Sequence, residues 1–144
     1  MNNAERDRGT VETRLRVRYA ETDAMGIVYH ANYFVWMEIG RTDYFRAIGC
    51  CYRELEREYQ LFTPLVEVSC RYLASASYDD EIAVYTRVLE FNKWLIKFSY
   101  QIRRITDGRL LAKGESTHLV VNAERQRTSL PESVLSALRQ YLAN

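Results

Sequence analysis

The stretch Tyr19-Ala20-Glu21-Thr22-Asp23-Ala24-Met25-Gly26-Ile27-Val28-Tyr29-His30-Ala31-Asn32-Tyr33 gathers two carboxylates, an imidazole and several hydroxyl groups into one short run. It lies between an alternating segment and a helical one, so it reads as a loop feeding a helix N-terminus. The first amides of a helix lack intrahelical acceptors and sit at the positive end of its dipole, which suits an anion or a carbonyl oxygen gaining negative charge. Gly26 lets the loop fold sharply enough to return the Asp23 carboxylate toward that terminus. A carboxylate beside such donors suffices to hydrolyse an activated acyl group, either by direct attack or by activating water.

Each residue also has a plainer role open to it. Asp23 is a common turn former, His30 is suited to capping or packing, and Tyr19 continues the apolar face of the preceding strand. Glu38 and Arg41, one helical turn apart, match an intrahelical ion pair, and His118 lies mid-strand as a structural residue. Other chemistries lack a motif. No G-x-S-x-G, P-loop, G-x-G-x-x-G or H-E-x-x-H occurs, and Cys50, Cys51 and Cys70 form no metal-ligand spacing, so no metal or redox cofactor is expected. The odd number of cysteines fits free, at least partly buried thiols in a reducing compartment.

The elements that must hold this loop are legible from periodicity. Thr13, Leu15, Val17 and Tyr19 alternate with Arg14, Arg16 and Arg18, which predicts a strand over residues 13–19 with a solvated or subunit-facing arginine row. From Asn32 to about Ile48, Phe34, Met37, Arg41, Phe45 and Ile48 recur at helical spacing. The segment Tyr33 to Met37 is apolar almost all round, so this helix is expected at the centre of the domain. Gly40 inside it is tolerable if the backbone approaches a neighbour closely, and Gly49 is its stop. A short polar helix follows over residues 52–59. Four strands are expected over residues 63–74, 81–91, 94–106 and 109–122, with Asp107-Gly108 as a hairpin turn. Pro131 then opens a terminal helix carrying Val134, Leu135, Leu138 and Leu142. The simplest α+β packing of this order is one antiparallel sheet on one central helix.

Composition sets the outer bounds. The 144 residues, 47% hydrophobic and 27% charged, fit one domain over residues 1–144. A formal charge of +1 gives no global field for nucleic acid or an anionic membrane. No run reaches the roughly 18 apolar residues of a membrane span, and the first ten residues are charged where a signal peptide is apolar. The expectation is a cytoplasmic protein.

The run Tyr19-x-Glu-Thr-Asp23-x-Met-Gly26-Ile-Val-Tyr-His30-x-Asn32-Tyr33 resembles the signature of hot-dog-fold acyl-CoA thioesterases of the 4-hydroxybenzoyl-CoA and Tol-Pal-associated type. Thr63-Pro64-Leu65-Val66 and Ala76-Ser77-Tyr78-Asp79-Asp80 are similar to further family patterns. The resemblance implies a five-stranded antiparallel sheet wrapped around the long helix, plus a C-terminal helix. It implies a homodimer with two active sites at its interface, often assembled into a homotetramer. It further implies Asp23 as catalytic carboxylate, with His30 and Tyr19 as polar site residues and the backbone N–H groups of His30 and Ala31 as oxyanion donors. Thr63 falls at the acyl site, and Lys93 alone represents the family's basic cluster for the coenzyme A phosphates. The implied substrate is an acyl-CoA or acyl carrier protein thioester, coenzyme A being part of the substrate. His30 stands where the benzoyl-CoA enzymes carry an aromatic residue, which points toward aliphatic or mixed acyl groups.

Three alternatives stay open at this level. Glu38 rivals Asp23, since a neighbouring branch takes its carboxylate from the central helix. The same fold also serves as a non-catalytic acyl-CoA-binding or scaffold subunit, and as a hydratase or dehydratase.

Overall fold

The computed structural model describes residues 8–143. The first seven residues of the charged N-terminal segment, and Asn144, lie outside the described residues. The element order is β1 (Thr10–Arg16), a 3-10 turn (Tyr19–Glu21), α1 (Asn32–Ala47), α2 (Tyr52–Tyr59), β2 (Leu65–Tyr72), β3 (Glu81–Phe91), β4 (Leu95–Arg104), β5 (Leu110–Leu119) and α3 (Glu132–Ala143). The strands form one antiparallel sheet in the order β1-β3-β4-β5-β2. This is the hot-dog arrangement, with α1 packed on one face of the sheet.

Alternation explains which face that is. On β4, Ile96, Phe98, Tyr100 and Ile102 are buried while the residues between them are only half-buried. They meet Trp36, Met37, Tyr44 and Phe45 of α1, and Leu130, Val134 and Leu138 of the terminal segment close the core. Two glycines set how closely helix and sheet approach. A Cβ on Gly40 of α1 would collide with the Thr86 hydroxyl of β3, and one on Gly114 of β5 would collide with the Met37 side chain. Gly49, at φ +83°, ends α1, with its N–H on the Arg46 carbonyl.

Several expectations need correction. The first strand stops at Arg16, and Tyr19 belongs to the 3-10 turn, 78% exposed rather than in the core. The cause is local: Glu21 turns its carboxylate back to accept the Arg18 N–H at 2.8 Å, which bends the chain out of the sheet. Helix α1 is not buried all round, because Val35 and Ile39 are exposed on one face. The Glu38–Arg41 pairing does not form; Arg41 turns inward and donates to the Tyr100 hydroxyl at 3.2 Å. The arginines of β1 are exposed in the single chain, where Arg14 and Arg16 pair with Glu12, Asp79 and Glu81. The remaining strands are each as expected or shorter by up to three residues at an end, where the chain leaves the ladder.

Candidate active site

The 3-10 turn and the loop after it form a small closed unit. Thr22 bridges Val28 across the loop, the Asp23 N–H donates to the Ile27 carbonyl at 2.8 Å, and the Gly26 N–H donates to the Asp23 carbonyl at 3.0 Å. Gly26 sits at φ +81°, a conformation the tight turn requires and a side chain would strain. The Asp23 carboxylate accepts the Met25 N–H at 2.8 Å through one oxygen, which orients it. The loop is fastened to the body by the Val28 N–H on the Ala76 carbonyl at 2.9 Å and by a bridge from Ile27 to Ser77.

Glu21 is the residue that motif reading passed over. The residue is 4% exposed, and besides the Arg18 amide its carboxylate accepts the Trp36 indole N–H at 2.8 Å. Its carbonyl accepts the Tyr29 N–H at 2.8 Å and the Asn32 side-chain amide at 2.9 Å. One residue thus ties the strand exit, the end of the Asp23 loop and the first two turns of α1 together. An acidic residue two before Asp23 gave no signal of this, because the Trp36 contact that buries it depends on tertiary packing.

The start of α1 has no side-chain cap. The amides of Asn32, Tyr33 and Phe34 fold back onto the carbonyls of Tyr29, His30 and Ala31. Among the described residues, the amides of His30 and Ala31 have no backbone acceptor. Asp23 and His30 line one cleft of about 380 Å³, together with Met25, Tyr33, Tyr72 and Ser75. The Tyr72 hydroxyl donates to the His30 carbonyl at 2.8 Å, and burial, with the Cys70 thiol beside it, pushes its ionisation upward, so it stays protonated as a donor. A carboxylate and an imidazole in one cleft, beside a helix start whose His30 and Ala31 amides have no backbone acceptor, can attack or hydrate a carbonyl and hold the oxyanion that results.

The other expected site residues are not brought to this cleft within the chain. Tyr19 packs edge-on against Tyr78 with ring centroids 5.8 Å apart, on the surface. Glu38 is exposed on α1 and is not among the cleft residues. Thr63 lines a separate groove with Phe62, Pro64 and Val121. Lys93 lines a third, with Asn92, Leu130 and Arg139, and its ammonium lies 5.4 Å from the Trp94 ring, as does the Arg127 guanidinium.

His118 is part of a directed chain. Its Nδ1 faces the Thr63 carbonyl at 3.1 Å and so carries the proton, leaving Nε2 to accept from the Ser116 hydroxyl at 2.9 Å. Ser116 accepts from the Tyr100 hydroxyl at 2.6 Å, which accepts from Arg41. The imidazole is neutral here: burial, then the Arg41 charge, lower its pKa from 6.5 to about 4. The chain runs from the central helix through two strands to the segment that precedes β2. Among the described residues, no group of three or more His, Cys, Asp or Glu side chains is arranged to hold a metal ion. No helix among them is long and apolar enough to cross a membrane.

Residues 17–138 match the family model described as the thioesterase-like superfamily. The chain belongs to that family. The match spans the Asp23 loop, α1, α2, strands β2 to β5 and the first half of α3. The thioesterase is 39% identical over 110 residues to YneP of Bacillus subtilis, covering 76% of this chain and 78% of YneP. It is 36% identical over 92 residues to the acyl-CoA thioesterase YbgC of Haemophilus influenzae, covering 64% and 68%. The solved DHNA-CoA thioesterase from Staphylococcus aureus superposes with a TM-score of 0.88 at 26% identity, covering 93% of this chain and 91% of that one. The chain is therefore an enzyme of the hot-dog thioesterases, a hydrolase rather than a scaffold, with the acyl-CoA thioesterases as its relatives.

Proposed function

We propose that this thioesterase hydrolyses an acyl-CoA or acyl carrier protein thioester to a free acid and a thiol at the Asp23 cleft. The observation that carries this is the placement of the oriented Asp23 carboxylate and of His30 in one cleft, at the start of a helix whose His30 and Ala31 amides have no backbone acceptor. On the nucleophilic route an Asp23 oxygen attacks the thioester carbon, the carbonyl oxygen gains the charge that the amides hold, and the C–S bond breaks. The thiolate takes a proton from water, and a second water hydrolyses the mixed anhydride, restoring Asp23. On the general-base route Asp23 takes a proton from water as that water attacks, and passes it to the departing sulfur. The His30 imidazole forms a polar wall of the cleft in either case. Tyr19, exposed against Tyr78, lies outside the residues that line this cleft in its own chain.

A second copy of the chain completes the site in this account. Strand β2 is a free sheet edge, with Leu65, Val66, Val68 and Tyr72 exposed. Antiparallel pairing of two β2 edges about a two-fold axis near Val68 and Ser69 sets Leu65 opposite the partner's Tyr72. Thr63 then comes opposite the partner's Ala74, and Ala74 is a cleft residue. This homodimer accounts for a Thr63 that is remote from Asp23 in its own chain yet lines the acyl site. Lys93 and the Trp94 ring beside it receive the coenzyme A phosphates and base.

The test is release of free thiol by the purified protein from acyl-CoAs with short, medium, long and aromatic acyl groups. Turnover supports the reading and its kcat/KM order gives the acyl preference. Absence of thiol release from every acyl-CoA and from an acylated carrier protein contradicts it.

A further inference from the structure

Tyr72 stands on the free edge strand, far in sequence from the helix start, yet its hydroxyl donates to the His30 carbonyl at 2.8 Å. That carbonyl belongs to the same peptide group as the Ala31 N–H. A trans peptide is planar, with C=O and N–H pointing in opposite directions, so fixing the oxygen fixes the line along which the N–H is aimed. The described backbone contains no cis peptide. Among the described residues, the only other donor to this oxygen is the Tyr33 N–H at 3.3 Å, a longer contact from within the helix's own first turn. A donor on the carbonyl also draws electron density from the amide and strengthens its N–H as a donor in turn.

The ring is held as firmly as the hydroxyl. It packs edge-on against Tyr33 with centroids 5.0 Å apart and edge-on against His30 at 6.3 Å. Tyr33 is buried, so the phenol has a fixed wall behind it. The neighbouring Tyr29–His30 peptide is restrained differently, by the Asn32 N–H on the Tyr29 carbonyl at 3.0 Å. The two uncommitted amides at the helix start are thus aimed by different residues, and the Ala31 amide is the one held from the sheet.

We infer that Tyr72 is a positioning residue for catalysis, one that aims and polarises the Ala31 N–H as an oxyanion donor by holding the His30 carbonyl. The inference rests on the reading of the His30 and Ala31 amides as the oxyanion site. It also makes the quality of that site depend on strand β2, so assembly at the β2 edge and catalysis share one side chain.

Tyr72→Phe keeps the ring and removes only the hydroxyl. The test measures its kcat and KM for an acyl-CoA that the wild type hydrolyses. It also measures the infrared carbonyl stretch of a bound, carbon-13-labelled ketone analogue in which CH2 replaces the thioester sulfur. The expected result is a kcat lower by roughly tenfold, less than the 100-fold or more lost when an oxyanion donor is removed outright, with KM within about twofold. The analogue's band, displaced to lower frequency in the wild type relative to water, should move back toward its water position in the variant. An unchanged band in Tyr72→Phe, whatever its rate, overturns the inference, as does an unchanged kcat. A wild-type band already at its water position contradicts the oxyanion reading itself, and the role of Tyr72 with it.

Discussion

The Glu21 carboxylate accepts the Trp36 indole N–H at 2.8 Å, joining the residue that leads into the Asp23 loop to the second turn of the central helix. With its other oxygen on the Arg18 amide, this buried carboxylate meets two N–H donors. Glu21→Gln must turn its own NH2 toward one of them, leaving two donors face to face. The expected loss is about 1–3 kcal/mol, read as a fall in Tm of roughly 4–10 °C. Activity should fall further than stability accounts for, because the same residue anchors Tyr29 and Asn32. A Tm equal to that of the wild type would show that the Glu21 contacts do not hold the loop.

Gly40 separates helix propensity from packing. In an exposed helix interior, Gly→Ala stabilises by about 1 kcal/mol. Here the added methyl meets the Thr86 hydroxyl and the Val84 side chain, both fully buried. Gly40→Ala should therefore destabilise by about 1–3 kcal/mol, measured by urea unfolding with an unchanged m-value. A stabilised variant would mean that α1 lies farther from β3 than the structure places it.

The neutral His118 makes stability depend on acid. Its pKa, lowered from 6.5 to about 4 in the folded protein, means that the unfolded chain binds more protons between those values. Its contribution is complete above pH 6.5 and is lost as the pH falls toward and through about 4, an integral of about 3 kcal/mol. His118→Gln, which has no titrating group, should lose about that much less stability over the same window, whatever its stability at pH 7. Denaturant unfolding of both proteins at pH 7, 6, 5 and 4 checks this, and parallel curves would contradict it.

The local periods that build β4 and α1 were readable because each residue's burial follows from its neighbours three, four or two positions away. Asp23, Gly26 and His30 were readable because their loop is continuous in sequence. Tyr19 was misread for the same reason: alternation continues through it, while the chain has already been bent by Glu21, which responds to Trp36 in another element. Arg41 gave up a nearby Glu38 for Tyr100, a partner across the core that spacing does not reveal. Thr63 and Asp23 matched one family site yet occupy separate grooves of the chain, a distance that no single-chain reading of sequence or coordinates bridges.

That distance yields a mixing test. If Thr63 serves the partner's cleft, a chain with Asp23→Asn and a chain with Thr63→Trp are each inactive alone, but a mixed dimer has one cleft with both residues intact. Refolding the two together in equal amounts should restore about a quarter of the wild-type rate, since half the dimers are mixed and each has one good site. No recovery, with mixed dimers verified by mass, would place Thr63 in the cleft of its own chain or outside the site.

The central claim is that the Asp23 carboxylate performs the chemistry, and the most direct measurement is thiol release from a saturating acyl-CoA by wild type and by Asp23→Asn. The substitution is nearly isosteric, and its side-chain oxygen can still accept the Met25 N–H, so fold and acyl-CoA binding should persist. The account predicts a kcat lower by roughly 1000-fold, with His30→Ala lower by only about tenfold because the backbone donors remain. An Asp23→Asn variant within tenfold of the wild-type rate, or one more active than His30→Ala, would contradict it and move the carboxylate's role to another residue.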